Sequence, residues 1–257
     1  MLGLLYRLYE LRLGRQVRSR PQPRHIGIIL DGNRRHGRDL GLTDPQEIYE
    51  LGARKLDDVL DWCAELAIPA VTLWVLSTDN LGRPASEVSG ILAVVEGKLR
   101  SLARDPQIHR RRVRVGAIGQ LDRLPASTLA AVAAAREATA SHGGMTLTIA
   151  VAYDGRQEIV DAVRALLASE ARNGASLAEA SANVTPAAIS RHLYAAGGPD
   201  PDLIIRTSGE LRLSGFLLWQ SAYSEYYFTD VYWPAFRKID FLRAVRAYQQ
   251  RSRRFGL

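Results

Sequence analysis

Along the chain, short and almost unbroken apolar runs alternate with longer stretches in which apolar positions recur every three or four residues. Six of the short runs, 25–31, 70–76, 113–119, 145–153, 202–207 and 227–232, read as strands. They are rich in Val, Ile and Leu and mostly do not alternate with polar residues. That is the pattern of strands covered by helices on both faces of a parallel sheet. The longer stretches read as amphipathic helices. Over 45–67, Ile48, Leu51, Leu56, Val59, Leu60, Cys63 and Leu66 form one stripe; over 87–103, Val88, Ile91, Leu92, Val95, Leu99 and Leu102 form another. Pro84 and Ser86 supply a start signal for the second. Further helices are expected over 129–141, 158–167, 187–193 and 241–251. Strand and helix alternate with no repeat, long linker or low-complexity block. The expectation is therefore one α/β domain over 25–257, with about six mostly parallel strands flanked by helices. An amphipathic helix and a basic linker over 1–24 precede it.

Composition narrows this picture little. A chain of 257 residues, 47% hydrophobic, suits a single sizeable core. The one cysteine, Cys63, lies in an apolar stripe and cannot form an internal disulfide, so core packing in a reducing, cytoplasmic compartment is expected. The formal net charge of +7 is compatible with nucleic acid, an anionic membrane surface or small anionic substrates. The run His109, Arg110, Arg111 and Arg112 directly precedes an apolar strand and reads as a solvated loop. Other basic residues cluster with glycines rather than with exposed aromatics, so nucleic acid is not the expected partner.

No apolar run reaches the roughly 18 residues that a membrane-spanning helix needs. Near the N-terminus Leu4, Leu5, Leu8 and Leu11 fall at helical spacing, but Arg7 and Glu10 interrupt them, which excludes a signal peptide. Packing on the domain or a partner subunit is preferred there over peripheral membrane contact beside Arg15, Arg18 and Arg20.

Chemistry concentrates in three polar clusters that each follow a strand, where open α/β sheets gather their ligands. After the first strand comes Asp31-Gly32-Asn33-Arg34-Arg35-His36. Glycine lets the backbone approach a phosphate, free N–H groups at a helix start point at it, and two arginines add charge-assisted donors. Asp31 could hold a Mg²⁺ that bridges phosphate oxygens. After the second strand comes Ser77-Thr78-Asp79-Asn80-Leu81-Gly82-Arg83-Pro84, with Glu87 beyond. After the fifth, Arg206, Arg212, Ser208 and Ser214 surround glycines, a set able to wrap one diphosphate, and Glu225 follows.

The segments HIGIILDGNRR, LSTDNLGRP, DLIIRTSGELRLSGFLLWQSAYSE and YFTDVYWPAF resemble the signature segments of the cis-prenyltransferases, the undecaprenyl diphosphate synthase family. The resemblance runs from residue 25 to the C-terminus, and the leader LLYRLYELRL is similar to that of bacterial short-chain members, the (2Z,6E)-farnesyl diphosphate synthases. It implies Mg²⁺-dependent condensation of isopentenyl diphosphate with an allylic diphosphate. By that match Asp31 is the metal-linked catalytic aspartate and Glu225 the second metal-site acid. Gly32, Asn33, Arg34, Arg35 and His36 face the allylic diphosphate. Ser77, Thr78, Asp79, Asn80 and Leu81 form a second substrate segment, with Asn80 at a proton-transfer position. Arg83, Arg206, Arg212, Leu213 and Ser214 form the isopentenyl diphosphate site. Val75 matches a chain-length position, where a bulkier residue than long-chain members carry implies a short product. Arg254 and Gly256 match a motif that reaches the neighbouring site of a homodimer.

The chain departs from the family at His36 and Leu81, where tryptophan is usual, and at Asp44 and Ile48, where long-chain members carry arginine and histidine. These changes touch the allylic substrate rather than the reaction class. His36, Asp44 and Ile48 leave room for head-to-middle coupling of two allylic diphosphates, and a long-chain polyprenyl diphosphate synthase stands as a separate alternative. A non-catalytic partner subunit is disfavoured, because Asp31, Arg35, Arg206 and Arg212 are all present. Asp57, Asp58 and Asp61 spell the DDxxD pattern of the all-helical trans-prenyltransferases, but they fall on the polar side of their helix and read as a solvated face.

Overall fold

Backbone hydrogen bonds join the six strands into one sheet of order β3-β4-β2-β1-β5-β6, with every neighbouring pair parallel. The computed structural model describes residues 2–251. Its elements are α1 (Leu2–Arg18), β1 (His25–Ile29), α2 (Asn33–Asp39), α3 (Pro45–Glu65), β2 (Ala70–Ser77), α4 (Ala85–Leu102), α5 (Pro106–Arg110), β3 (Val113–Ile118), α6 (Ala126–Ala138), β4 (Met145–Tyr153), α7 (Gly155–Arg172), α8 (Leu177–Ala182), α9 (Pro186–His192), β5 (Leu203–Arg206), β6 (Glu225–Phe228) and α10 (Lys238–Gln250).

The apolar runs are buried because helices cover both sheet faces, as their unbroken hydrophobicity implies. All four residues of β5 and the last four of β1 are buried. On one face α3 and α4 pack together over β1, β2 and β4, and the stripe residues Leu56, Val59, Leu60, Cys63, Ile91, Leu92, Val95 and Leu99 join the main core. On the other face Phe216 and Leu217 pack on Ile29, Trp74 and Tyr153, while α7 and α9 pack on each other. Helix starts follow local chemistry: Asp44 caps α3 by accepting from the Gln46 N–H, with Pro45 in the first turn, and Asp154 caps α7 through Gln157. Cys63 is buried and free, and burial pushes its thiol well above the ordinary value.

Several boundaries differ from the sequence reading. The last strand is Glu225–Phe228 rather than 227–232, because 229–231 leave the ladder to bond the turn after β5: Thr229 and Val231 carbonyls accept from Gly209 and Ser208. His109 and Arg110 end the short helix α5, capped by Asp105, and only Arg111 and Arg112 lie in the turn that follows. In α1 the buried residues, among those whose side chains are described, are Leu13, Gly14 and Val17, packed against α10, whereas Leu8 and Leu11 of the anticipated stripe face solvent. The aspartates of the DDxxD pattern are exposed, as expected, and pair with Lys98, Lys55 and Arg111. Among the described residues no helix is long and apolar enough to cross a membrane.

Candidate active site

The chain runs from β1 to β2 and out to β3 at the edge, returns to β4 between β2 and β3, then crosses to β5 and β6 on the other side of β1. The sheet therefore has a topological switch at β1/β5, where open α/β sheets form a crevice beyond the carboxyl strand ends. Ile29 lies opposite both Trp74 of β2 and Arg206 of β5. The polar clusters after these three strands consequently emerge at one end of the sheet.

Asp31 occupies the centre of this end. Its carboxylate accepts from Arg206 Nη2 at 2.9 Å and from Arg35 Nη2 at 3.2 Å. Its backbone is pinned as well: Thr207 Oγ1 lies 3.0 Å from the Asp31 nitrogen and 2.7 Å from its carbonyl, which also accepts from the Trp233 N–H. Burial alone would raise the Asp31 carboxyl, but the Arg206 hydrogen bond and the charges of Arg206 and Arg35 outweigh it and hold it below the ordinary carboxylate value. Gly32 follows with φ of +100°, and a Cβ there would stand 2.7 Å from the Tyr232 ring. Only glycine fits both the left-handed backbone and this close approach.

Arg206 is almost fully buried, yet its guanidinium has three partners: Asp31, the Ser214 hydroxyl at 2.8 Å and the Arg212 carbonyl. It thereby curls the segment 206–214 into a loop with positive φ at Ser208, Gly209, Ser214 and Gly215. Arg35 reaches the same loop through Ser208 Oγ at 2.6 Å and Glu210 at 3.4 Å, and stacks over Tyr232. Arg212 is exposed and pairs with Glu210, while Leu213 is half-buried beside it. In the second cluster the Ser77 hydroxyl accepts from the Asn80 N–H at 3.1 Å, holding Thr78, Asp79 and Asn80 in a tight turn with Leu81 half-buried behind it. Glu87 ties this cluster to the first, lying 3.0 Å from Arg83 and 3.6 Å from Arg34, and accepts from the Tyr49 hydroxyl.

A cleft of ≈ 610 Å³, its open mouth included, runs from Leu30 and Asn33 between the sheet and helices α3 and α4. Its walls are almost wholly apolar, with Leu56, Ile91 and Leu99 among them. Val75 lines it, at a register shift where β2 carries one more residue than β4 between Trp74 and Leu76. Asn33 reaches this cleft with its Nδ2 bonded to the Leu30 carbonyl and its buried Oδ1 without a partner. His36 sits edge-on to Tyr232, at 6.2 Å between ring centres.

Most of the anticipated residues are thus gathered at one end of the sheet. Glu225 is not: it opens β6 opposite Leu203, at the amino end, and pairs with Arg251. Parallel pairing with β5 puts it roughly 10 Å of strand away from the Asp31 end, so one chain does not bring the two acids together. Arg254 and Gly256 lie outside the described residues. Sequence reasoning missed Tyr49, Thr207 and Tyr232. Thr207 directly follows Arg206 and was legible as part of that cluster; the two tyrosines reach the site only through tertiary packing.

A divalent hard cation suits this donor set. Asp31 offers a carboxylate that is one-quarter exposed, beside guanidinium groups able to take phosphate oxygens. Mg²⁺ commonly binds through one or two carboxylates with substrate phosphates and water completing its shell.

Comparison with known proteins agrees with this geometry. Residues 29–256 match the family described as "Putative undecaprenyl diphosphate synthase". The chain is 56% identical over 255 residues to an "Isoprenyl transferase" of Deinococcus radiodurans, covering 99% of this chain and 93% of that protein. It is 52% identical over 252 residues to a "(2Z,6E)-farnesyl diphosphate synthase" of Thermobifida fusca, covering 98% and 97%. Among solved structures, lavandulyl diphosphate synthase from Lavandula x intermedia, in complex with dimethylallyl diphosphate, superposes with a TM-score of 0.83 at 33% identity, covering 92% of this chain and 99% of that one.

Proposed function

This chain belongs to the undecaprenyl diphosphate synthase family, a family of prenyl-transferring enzymes, and from that premise we propose that it condenses isopentenyl diphosphate with geranyl diphosphate to give (2Z,6E)-farnesyl diphosphate. The observation that carries this reading is the junction of two unlike environments. A cluster of arginines around one carboxylate opens, through Leu30 and Asn33, into an apolar cleft. A prenyl diphosphate has the same two halves. The short product rests on Val75, which lines the cleft, and on the similarity to the Thermobifida fusca enzyme.

In the mechanism, Gly32, Asn33, Arg34 and Arg35 hold the allylic diphosphate so that its chain enters the cleft. Arg83, Arg206, Arg212 and Ser214 hold isopentenyl diphosphate beside it, with Ser77 and Asn80 fixing its approach. Asp31 would hold Mg²⁺, which would supply charge neutralisation on the departing diphosphate. The arginines contribute the same stabilisation from preorganised positions, and the apolar walls keep water from the allylic carbon. The allylic C–O bond breaks with its electron pair going to the departing diphosphate, the terminal carbon of isopentenyl diphosphate forms the new C–C bond, and the proton lost from its C2 passes to a diphosphate oxygen. Asn80 has no titratable lone pair near neutral pH, so its part is positional. The active species is a homodimer.

The test is turnover of labelled isopentenyl diphosphate with Mg²⁺ and dimethylallyl, geranyl or farnesyl diphosphate in turn, with products dephosphorylated and sized. A cis farnesyl product from geranyl diphosphate is expected. Long polyprenols would keep the reaction and refute the short product. Coupling of dimethylallyl diphosphate alone, without isopentenyl incorporation, would refute the condensation itself. Sedimentation of the protein at assay concentration tests the dimer.

A further inference from the structure

On the sheet face opposite the apolar cleft lies a buried carboxylate that the mechanism above does not use. Glu158, in the first turn of α7, is 1% exposed. Its Oε2 accepts from the Tyr153 hydroxyl at 2.5 Å and from Gln220 Nε2 at 3.0 Å, and its Oε1 accepts from the Tyr194 N–H at 2.9 Å. All three donors are neutral. Taking a carboxylate out of water without a cation is costly, and satisfying its lone pairs with hydrogen bonds recovers only part of that cost. The start of α7 favours an anion here, but that alone would not select a fully buried acid over an apolar residue.

What the acid joins explains its place. Tyr153 ends β4 directly opposite Ser77, and its carbonyl accepts from the Thr78 N–H at 3.4 Å, so its backbone supports the second polar cluster. Its ring packs against Phe216, which also stacks on Trp74 at 5.4 Å and 8°. Gln220 belongs to the segment that begins at Arg206 and carries Arg212 and Ser214. That segment is pinned again where the Gly155 N–H donates to the Gly215 carbonyl at 2.9 Å, and a Cβ on Gly155 would stand 2.4 Å from that oxygen. Glu158 adds a hydrogen-bonded link between the support of one cluster and the tail of the other, through Tyr153 on one side and Gln220 on the other.

We propose that the Tyr153–Glu158–Gln220 node is a positioning device for isopentenyl diphosphate, holding the Ser77–Arg83 and Arg206–Ser214 segments at the separation that one diphosphate spans. This rests on assigning those segments to isopentenyl diphosphate, as above. The first cluster, Gly32–Arg35, receives no bond from the node itself and meets it only through the segments the node positions, so the allylic diphosphate should feel its loss far less than isopentenyl diphosphate does.

The experiment compares steady-state kinetics of the wild type with Tyr153→Phe, Glu158→Gln and the double variant, varying each substrate separately, and records melting temperatures. Tyr153→Phe removes one hydroxyl without changing ring volume, which keeps the test available if Glu158→Gln fails to fold. Losing a hydrogen bond to a charged group should raise KM for isopentenyl diphosphate about tenfold or more. KM for the allylic diphosphate and kcat should stay within about twofold, and the double variant should be no worse than the poorer single one. A lower melting temperature with unchanged KM values, or an equal rise in both, would overturn the proposal. A wild type that turns over no isopentenyl diphosphate would overturn the functional reading itself, a result plainly distinct from either.

Discussion

Arg206→Lys asks whether the site needs a positive charge or a fork at this position. The native guanidinium spans three acceptors: Asp31 Oδ2, Ser214 Oγ and the Arg212 carbonyl. Lysine keeps the charge but has no fork and can hold one of them, so two charge-assisted bonds are lost from a position 4% exposed. At about 1.5 kcal/mol each, the low end for bonds to a charged group, the loss is about 3 kcal/mol. If the loop around Ser214 is where isopentenyl diphosphate binds, that loss falls largely on the transition state and lowers kcat/KM for this substrate by roughly 100-fold. The remainder, about 0.3 kcal/mol, shows as a melting temperature lower by about one degree. The assay is initial rate at subsaturating isopentenyl diphosphate with saturating allylic substrate, beside a thermal melt. A variant that melts normally and retains kcat/KM within about threefold would refute the argument, because charge alone would then suffice at this position.

Val75→Ala should lengthen the product distribution, read by sizing dephosphorylated products; it removes two methyl groups from the cleft wall and costs about 1 kcal/mol of stability. Unchanged product length would break the link between this residue and the end of the cleft. Asp58→Asn should leave turnover intact, since Asp58 is exposed and pairs only with Lys55 among the ion pairs of the described residues, whereas loss of activity would give the DDxxD pattern a catalytic role. The depressed Asp31 carboxyl contributes stability that is fully present above its ordinary value of 3.8 and is lost as pH falls through the lower folded value. The stability gap between wild type and Asp31→Asn, measured by denaturant melts, should therefore shrink on acidification below that value. A gap independent of pH would mean that the two arginines do not hold the charge.

The unbroken Val, Ile and Leu runs announced the sheet because both of its faces are covered, and period alone separated strands from the stripes of α3 and α4. Where the reading slipped, the cause is tertiary. Residues 229–231 have the composition of a strand but give their carbonyls to the turn after β5. In α1 several leucines compete for the inside, and contact with α10 selects Leu13 and Val17 over Leu8 and Leu11. The helix α8 was missed although Ser176 and Glu179 form a capping box, a signal that was legible at that spacing.

The site was legible for a different reason. Its residues lie in three contiguous segments directly after strands, and a parallel sheet must bring such segments to one end, so order along the chain becomes proximity in space. Glu225 breaks that rule instructively. It follows the third segment in sequence, but it begins a strand instead of ending one, and parallel pairing with β5 therefore carries it to the far end of the sheet. The same logic hides Glu158 in plain view. As the fourth residue of a helix that starts at a strand end it reads as ordinary amphipathic pattern, and only the fold of the 206–220 segment back over β4 turns it into a buried anchor. Residues that touch a ligand at strand ends can be read from spacing, whereas those that set the distance between two such segments need the packing of the opposite face.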